Sequence, residues 1–537
     1  MKISDYIVSA LQDEKVFDVF GIPGVGCGHL TDSLSKSNIN NHITYHEQGA
    51  AFAACAYGQA SKNIGMAYAT AGPGATNLLT GIANAFVDSI PALYIVGDKD
   101  STDLRGDLRI RQKASQEIDI VSMAKPITKW SYQVKNAAEI RFVLEKAIYL
   151  AKNGRPGPVL LDIPSDIQRG EYIEQKGFFP EKQKIFDIDY LICKINNSIK
   201  PLFVVGGGVK QAGLIGLMKT LSKEKNIPIV GTIVCDDELY DFENYLGFFG
   251  VDGDNAANQA IKECDLLVVF GARLNIKQVG KRRDLFAQQA QIIRIDIDRG
   301  ELDYRINNEE VIESDLKIVI PSLLKKKDSI RTKNTFFKKG INGDTSNNVD
   351  VSINMFAFKM MKKLCAGIPE NIDIVLGIGS HRRWFVSNRI IKSGWRVYQS
   401  AGLASMGFAL PSSIGVYFAN KRPVFCIDGD GGLLMNVQEL QLISRERLPI
   451  TVVVFNNHCL GEIMEFQKKV FNKNYFGTTP TSGYLSGNYE LIANAFGLKY
   501  RRINDEKDFT RISLNNLEPT LIEVVVPENM WGKYENL

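Results

Sequence analysis

Short apolar runs rich in β-branched residues recur along the chain and run into glycine-rich or polar turns. They include PVLLDIP (Pro158 to Pro164), PLFVV before Gly206 to Gly208, CDLLVVFGAR (Cys264 to Arg273), IIRIDID (Ile292 to Asp298) and PVFCID (Pro423 to Asp428). Stretches with helical spacing of apolar residues follow. This alternation predicts parallel sheets covered by helices. The expected fold is α/β, with three doubly wound parallel-sheet domains. Apolar periodicity fails at two seams, 169–189 and the lysine-rich 325–348, the second reading as a solvated linker. The seams set the expected domains at 1–168, 190–324 and 350–537, the middle one Rossmann-like. No short-period repeat is visible.

Composition narrows what such a chain does. Its 537 residues are 45% hydrophobic and 23% charged, enough to bury several cores. The net charge of +4 comes from 64 basic and 60 acidic residues mixed along the chain, so no single-sign field exists to hold nucleic acid or a membrane surface. Asp5, Asp13, Glu14 and Lys15 interrupt the first apolar stretch, which argues against a secretory signal, and no later run approaches the ~20 residues of a membrane span. A cytoplasmic protein is expected. Eight cysteines stand singly with no CxxC pair, the pattern of buried thiols in a reducing compartment.

The densest chemistry lies between Pro423 and Gln467. PVFCID enters Gly429-Asp430-Gly431-Gly432; a helical stretch from Val437 to Arg447 follows, with Asn436 and Glu439 placed as a capping box; a second strand, Ile450 to Phe455, ends in Asn456-Asn457. Such a βαβ unit gathers polar groups at the carboxyl ends of two strands, where open α/β sheets bind ligands. The glycines let backbone N–H groups approach a phosphate, and Asp430 and Asn457 offer hard oxygens to a small divalent cation. Magnesium wants about six oxygens and takes few from protein, so one carboxylate, one amide and the Cys459 carbonyl beside a diphosphate make a sensible set. A bare Gly-Asp-Gly is usually only a turn. Its pairing with twin Asn at two strand ends is far more specific.

A second acid stands at a strand-to-helix turn: strand-like Ile43 to His46 precedes Glu47 and the small-residue helix Gln48 to Ala54. Taken alone, Glu47 reads as an acid favoured by the helix macrodipole. The GDGG and NN pair is joined, in order, by FGIPG (Phe20 to Gly24), HEQGAAFAA (His46 to Ala54), GPGATNLLTGIANAFVDSIP (Gly72 to Pro91), RPGPVLLDIP (Arg155 to Pro164) and SAGLASMGFALPSSIG (Ser400 to Gly415). On these segments the chain resembles the acetolactate synthases of the thiamine diphosphate enzyme family over nearly its whole length.

The resemblance implies the thiamine diphosphate-binding fold. It implies that Asp430, Asn457 and the Cys459 carbonyl hold Mg2+ against the cofactor's diphosphate, with Gly429, Gly431, Gly432 and His381 around it. Glu47 would be the acid that drives the aminopyrimidine toward its imino tautomer, a general acid–base role. The Ala404 carbonyl, where the family usually has Gly, would accept from the 4′-amino group, and Met406 would wedge the cofactor into its bent shape. Each site would join the first domain of one subunit to the last of another, in a homodimer or homotetramer.

In the middle domain, Gly206, Gly207, Gly208, Thr232, Gly250 to Gly253, Gly271 to Arg273 and Asp296 to Asp298 match segments that hold FAD, mainly as a structural ligand, in acetolactate synthases. Asp252 stands where a His is usual, and a domain that kept the fold and lost the flavin is the alternative. A nicotinamide site is a poor reading, because the acid lies far beyond the ~20 residues of that fingerprint. Gly24, Gly26 and Gly28 also fail to form GxGxxG, since His29 takes the last position.

Departures from the family pattern cluster where an acceptor substrate would sit. AFQE is Ala114-Ser115-Gln116-Glu117, and the loop before it, Asp98 to Lys113, is longer and more charged. Ser165 replaces a Lys, Phe466 a Trp, and Met464-Glu465 a more basic pair. Lys277 replaces an Arg, losing its bidentate fork. Gln116 remains to hydrogen-bond a carbonyl. The expected reaction is decarboxylation of a 2-keto acid, pyruvate, with transfer of the acyl carbanion to a carbonyl acceptor. A keto-sugar or aldehyde acceptor, or simple decarboxylation, stands as the alternative. A non-catalytic protein on this fold would have lost the activating acid or a metal ligand, and Glu47, Asp430 and Asn457 are all present.

Overall fold

The computed structural model describes residues 1–180, 186–304, 306, 309–332, 355–511, 514 and 518–527. Most of the lysine-rich seam and residues 181–185 of the other seam lie outside these. The chain forms two compact units, one from Met1–Pro180 with Asp350–Leu537, the other from Glu181–Val349.

The first unit holds two sheets. One contains β1 (Asp18–Gly21), β2 (Asn40–Ile43), β3 (Gly65–Thr70), β4 (Ala92–Asp98), β5 (Trp130–Gln133) and β6 (Pro158–Pro164), in the order β2-β1-β3-β4-β6-β5. The second unit's sheet contains β7 (Pro201–Val205), β8 (Ile229–Gly231), β9 (Tyr245–Phe248), β10 (Leu266–Phe270), β11 (Gln291–Asp296) and β12 (Glu309–Glu313), in the order β12-β11-β10-β7-β8-β9. The remaining sheet of the first unit contains β13 (Asp373–Leu376), β14 (Arg396–Gln399), β15 (Val424–Gly429), β16 (Ile450–Asn456), β17 (Lys499–Ile503) and β18 (Thr520–Val525). Its order, β14-β13-β15-β16-β18-β17, repeats that of the first sheet. Every pairing between these strands is parallel. The fold is therefore α/β with three parallel sheets, as expected. Central strands such as β10 (LLVVF) and β16 (ITVVVFN) are buried along their whole length, because helices cover both faces.

The two sheets of the first unit share one core, built on the helices Glu47–Ser61 and Ala409–Asn420. Both are rich in small residues and buried on nearly all sides, which lets their backbones approach. An added Cβ on Gly415 would lie 2.0 Å from the Ala53 carbonyl oxygen, so glycine is required there.

A buried ionic cluster ties the same two sheets together. The His42 ring on β2 hydrogen-bonds Asp18 and Glu446, each at 3.0 Å, and stacks on Phe418. Lys421 Nζ stands 3.5 Å from Asp18. Desolvation pulls the imidazole's pKa down, but the bonds to Asp18 and Glu446 outweigh it and hold it above its ordinary 6.5. Burial raises the two carboxyls and the His42 bond pulls both net below their ordinary range. The cation's contribution is thus complete below its unfolded pKa and is lost as pH rises through the higher folded value. The carboxylates' contributions are present above their unfolded pKa values and are lost as pH falls through the folded ones. The melting-temperature gap between parent and His42→Gln is expected to be widest between about pH 4.5 and 6.5 and to shrink above that. A gap that stays constant from acid to alkaline pH would refute this role.

Two local expectations fail. The strand expected over Ile43 to His46 is β2, which ends at Ile43. Beyond it, the Tyr45 and His46 N–H groups donate to Glu439 Oε1 rather than to a strand (both 3.1 Å). That same contact removes Glu439 from the expected capping box. Asn436 makes no side-chain cap bond; its amide donates to Gln48 Oε1 (3.1 Å) and the Gly407 carbonyl (2.8 Å) instead. The helical stretch is a 3-10 turn, Val437–Glu439, followed by the helix Leu440–Arg445.

Candidate functional site

In the last sheet, Gly429 on β15 pairs with Phe455 on β16, so Asp430 and Asn457 both follow the carboxyl ends of neighbouring central strands. Both are buried. The Gly431 N–H donates to Asp430 Oδ1 (2.9 Å), while Oδ2 is buried without a hydrogen-bond partner. Burial pushes this carboxyl up to about 7. A cation would satisfy the open oxygen and hold the group ionised. The Tyr489 hydroxyl fixes the Asp430 backbone by donating to its carbonyl (3.1 Å). Asn456 is already engaged, its amide donating to Glu523 (2.7 Å). Its Oδ1 also accepts the His458 N–H (3.2 Å), and His458 takes a positive φ of 57° just before Cys459. The Cys459 thiol is buried and pushed up to about 12, so sulfur coordination is disfavoured. Among the described residues no cluster of three His, Cys, Asp or Glu side chains could hold a metal. A site here must rest on Asp430, the Asn amide and backbone carbonyls, the oxygen set that suits magnesium.

The glycines have distinct local reasons. An added Cβ on Gly429 would press on the His381 ring at 3.1 Å, one on Gly432 would strike Asp428 Oδ1 at 2.2 Å, and one on Gly431 would meet Leu460 at 2.6 Å and Met406 Cε at 3.4 Å. Met406 therefore lies over the glycine turn, partly exposed. His381 sits at the start of the helix Ser380–Asn388, with Nε2 buried and lacking a hydrogen-bond partner, 3.7 Å from Asp428 Oδ1. Burial lowers its pKa to about 4, so the ring is neutral near neutral pH. Four buried polar atoms without partners, on His381, Asp428, Asp430 and Tyr484, surround this turn. Such a set fits a polar ligand and its cation better than a closed core.

Glu47 opens the helix Glu47–Ser61 and is half-buried. Asn77 donates to its Oε2 (3.0 Å), and Gly74 leaves room against Oε1. Glu439 orients this turn from the last sheet by holding the two N–H groups just before Glu47, and Gly49 is required to clear it. Sequence reading missed Asn77, Asp428 and this use of Glu439. GDGG preceded by an acid was a visible hint for Asp428; no local signal marks the other two. Ala404 is exposed with φ 57°, the left-handed region that explains why glycine suits the position. Its loop is held by Asp88, which accepts the N–H groups of Ala401 (3.0 Å) and Gly402 (2.7 Å).

Of the acceptor candidates, Ser115 and Gln116 are exposed, Gln116 with φ 69°, and an added Cβ on Gly72 would meet the Gln116 carbonyl at 2.6 Å. Phe466 is 53% exposed and packs edge-on against Phe471. Lys277 lies in the second unit, where it lines a pocket with Arg273, Asn275, Ile276, Glu301 and Tyr304. In that unit an added Cβ on Gly206 would strike the Gly271 carbonyl at 2.2 Å, whereas Gly207 meets only Val234 at 3.3 Å. Gly206 is thus required by backbone packing, whereas Gly207, at the end of β7, has a single side-chain neighbour. Asp296 Oδ1 accepts the Asp298 N–H (3.0 Å).

Comparison with known proteins agrees with this layout. Residues 1–123 match the family described as "Thiamine pyrophosphate enzyme, N-terminal TPP binding domain", residues 188–323 its central domain and residues 377–524 its C-terminal TPP binding domain. The chain is 31% identical to the acetolactate synthase isozyme 2 large subunit of Escherichia coli (strain K12), over 99% of this chain and 97% of that one. It is 31% identical to the acetolactate synthase large subunit of Lactococcus lactis subsp. lactis, over 98% and 92%. It is 32% identical to acetolactate synthase 1, chloroplastic, of Oryza sativa subsp. japonica, over 98% and 85%.

Proposed function

The chain belongs to the thiamine pyrophosphate enzyme family as an enzyme of acetolactate synthase type, and on that premise we propose that it decarboxylates pyruvate and joins the acyl fragment to a carbonyl acceptor. The observation that carries the reading is the presence, in one compact unit, of the Glu47 turn and of the buried, partly unsatisfied Asp430 pocket. Thiamine diphosphate, when bound, supplies the electron sink that lets a 2-keto acid lose its carboxylate. In the net reaction CO2 leaves, C2 of the keto acid bonds to the acceptor's carbonyl carbon, and the acceptor oxygen takes up one proton.

The chain's own residues do the positioning and the proton chemistry. Asp430, Asn457 and the Cys459 carbonyl would hold Mg2+, and Gly429, Gly431, Gly432 and His381 would line the diphosphate. Glu47, with one carboxylate oxygen fixed by Asn77, would be the acid that hydrogen-bonds the cofactor's ring nitrogen and holds or gives up a proton at its other oxygen. The Ala404 carbonyl would accept a hydrogen bond from the cofactor's amino group, and Met406 would support the cofactor from its place over the glycine turn. Gln116 hydrogen-bonds the acceptor carbonyl, with Ser115 and Phe466 as further substrate residues of the first unit; Lys277 is proposed as a substrate residue on the pocket it lines in the second unit. Domain bounds of 1–168, 190–324 and 350–537 fit these roles.

FAD is proposed as a structural ligand of the second unit, at the open end of β7 and β10; a yellow chromophore released on denaturation would identify it. A homodimer or homotetramer is proposed because Ile463, Phe466, Val470, Phe471, Phe476 and Leu485 leave a large apolar area exposed on the last domain. No helix among the described residues is long and apolar enough to cross a membrane, and a cytoplasmic location is proposed.

The test is product analysis with pyruvate, cofactor and magnesium, alone and with 2-ketobutyrate, an aldehyde or a keto-sugar. Pyruvate is expected to release CO2 and to be a poor acceptor, so acetolactate forms slowly and a larger carbonyl compound is preferred. Absence of CO2 would sink the donor assignment. Fast acetolactate formation with no gain from any other acceptor would make pyruvate the acceptor as well.

A further inference from the structure

The loop that leaves β4 at Lys99 returns at Gln116 to the mouth of the proposed site. Gln116 packs on Gly72, and two residues along, Gly74 faces Glu47 Oε1, 3.2 Å from an added Cβ. The loop and its flanks carry as many acids as cations, but they are not spread evenly. At its root, Asp100 pairs with Arg169 through both oxygens (2.7 and 2.8 Å), and Asp98 accepts the Lys99 N–H (2.8 Å). The Glu117 carboxylate accepts the N–H groups of Arg105, Lys113 and Ala114, clamping both ends of the loop. Arg105 is turned inward, donating to the Ile110 carbonyl (3.0 Å). Asp103 and Asp107 stand exposed in the first half of the loop, and Arg109 to Lys113 holds three cations and no acid. Lys113 donates to the Thr102 carbonyl, whereas Arg109 and Arg111 are exposed and make no hydrogen bond or ion pair with the described residues. The clamp therefore presents two uncommitted guanidinium groups on a loop whose return strand reaches the acceptor side.

We propose that Arg109 and Arg111 bind a phosphate or diphosphate group on the carbonyl acceptor, so that the acceptor is a phosphorylated compound rather than a second small keto acid. This rests on the function proposed above and names its acceptor class. The guanidinium fork matches phosphate oxygens bidentately. Arg111 and Arg109 stand five and seven residues from Gln116, spans of at most ~18 and ~25 Å of extended chain, which leaves room for an anion set several bonds back from the reacting carbonyl. Pyruvate's carboxylate, directly attached to its carbonyl, has no such reach. Charge along the rest of the chain is mixed, so the patch suits a small anion and not a polyanion track.

The test uses the full protein loaded with thiamine diphosphate and magnesium. Calorimetric titration with UDP-glucose, against glucose, reads binding; the KM of glyceraldehyde 3-phosphate against glyceraldehyde, with pyruvate as donor, reads use. Both phosphorylated members are expected to be preferred, the more so at low salt. In the double variant Arg109→Gln with Arg111→Gln, the preference should fall about 10- to 100-fold, with part of it kept by the double Lys variant. Equal handling of phosphorylated and unphosphorylated members by the parent, or an unchanged preference in the Gln variant, overturns the proposal. CO2 release from pyruvate by the parent separates the two readings: its absence removes the function itself, whereas its presence without phosphate preference removes only the role of the loop.

Discussion

Glu47→Gln is expected to keep thiamine diphosphate and magnesium bound while lowering turnover by about 10²- to 10⁴-fold, the usual worth of a positioned general acid–base group. The amide is close to isosteric. Asn77, which donates to Oε2, can be met by the amide oxygen, so the turn keeps its shape. What is lost is the proton that a carboxyl group exchanges with a ring nitrogen. The measurement pairs cofactor affinity, from quenching of protein fluorescence, with CO2 release from pyruvate. Unchanged turnover would move the activating acid elsewhere, whereas a parallel loss of cofactor affinity would make Glu47 an anchoring residue instead.

Asp430→Ala is expected to weaken cofactor retention by about 10- to 100-fold, the scale of one charge-assisted interaction, with excess magnesium restoring it only in part. The carboxylate is the single charged group in the proposed ligand set. A second readout separates this from simple unfolding. In the parent protein without cofactor, Asp430 is a buried carboxyl with one unsatisfied oxygen, so its removal should not lower the melting temperature of the cofactor-free protein. The rise in melting temperature on adding cofactor and magnesium, which follows ligand binding to the folded state, should shrink sharply. Equal cofactor affinity in variant and parent would place the metal elsewhere.

Much of this site was legible along the chain because its chemistry is local to strand ends. The turn after β15, the twin Asn at the end of β16 and the acid at the start of Glu47–Ser61 are each written within a few residues, where apolar runs meet glycine or polar groups. Parallel sheets follow from buried β-branched runs alternating with helices, so the α/β class was equally visible. Pairings that bring distant segments together carry no such local mark. Glu439 sits at capping-box spacing from Asn436, yet its carboxyl goes to Tyr45 and His46, nearly four hundred residues earlier. The two backbone N–H groups that follow β2 take up this carboxyl in place of a local cap. His42 shows no pattern in sequence and becomes an ionic centre only because β2 brings it to Asp18 and chain folding adds Glu446. The loop after β4 reads as merely charged; that Asp100 and Glu117 are engaged while Arg109 and Arg111 are not emerges only when Arg169 pairs with Asp100 and the N–H groups of Arg105, Lys113 and Ala114 converge on Glu117. The sequence by itself determined most of the strands and turns, since periodicity and turn chemistry are short-range properties, and its resemblance to a known family carried the cofactor class. The tertiary structure alone decided which charges are neutralised and which are left free, since that depends on neighbours from other strands.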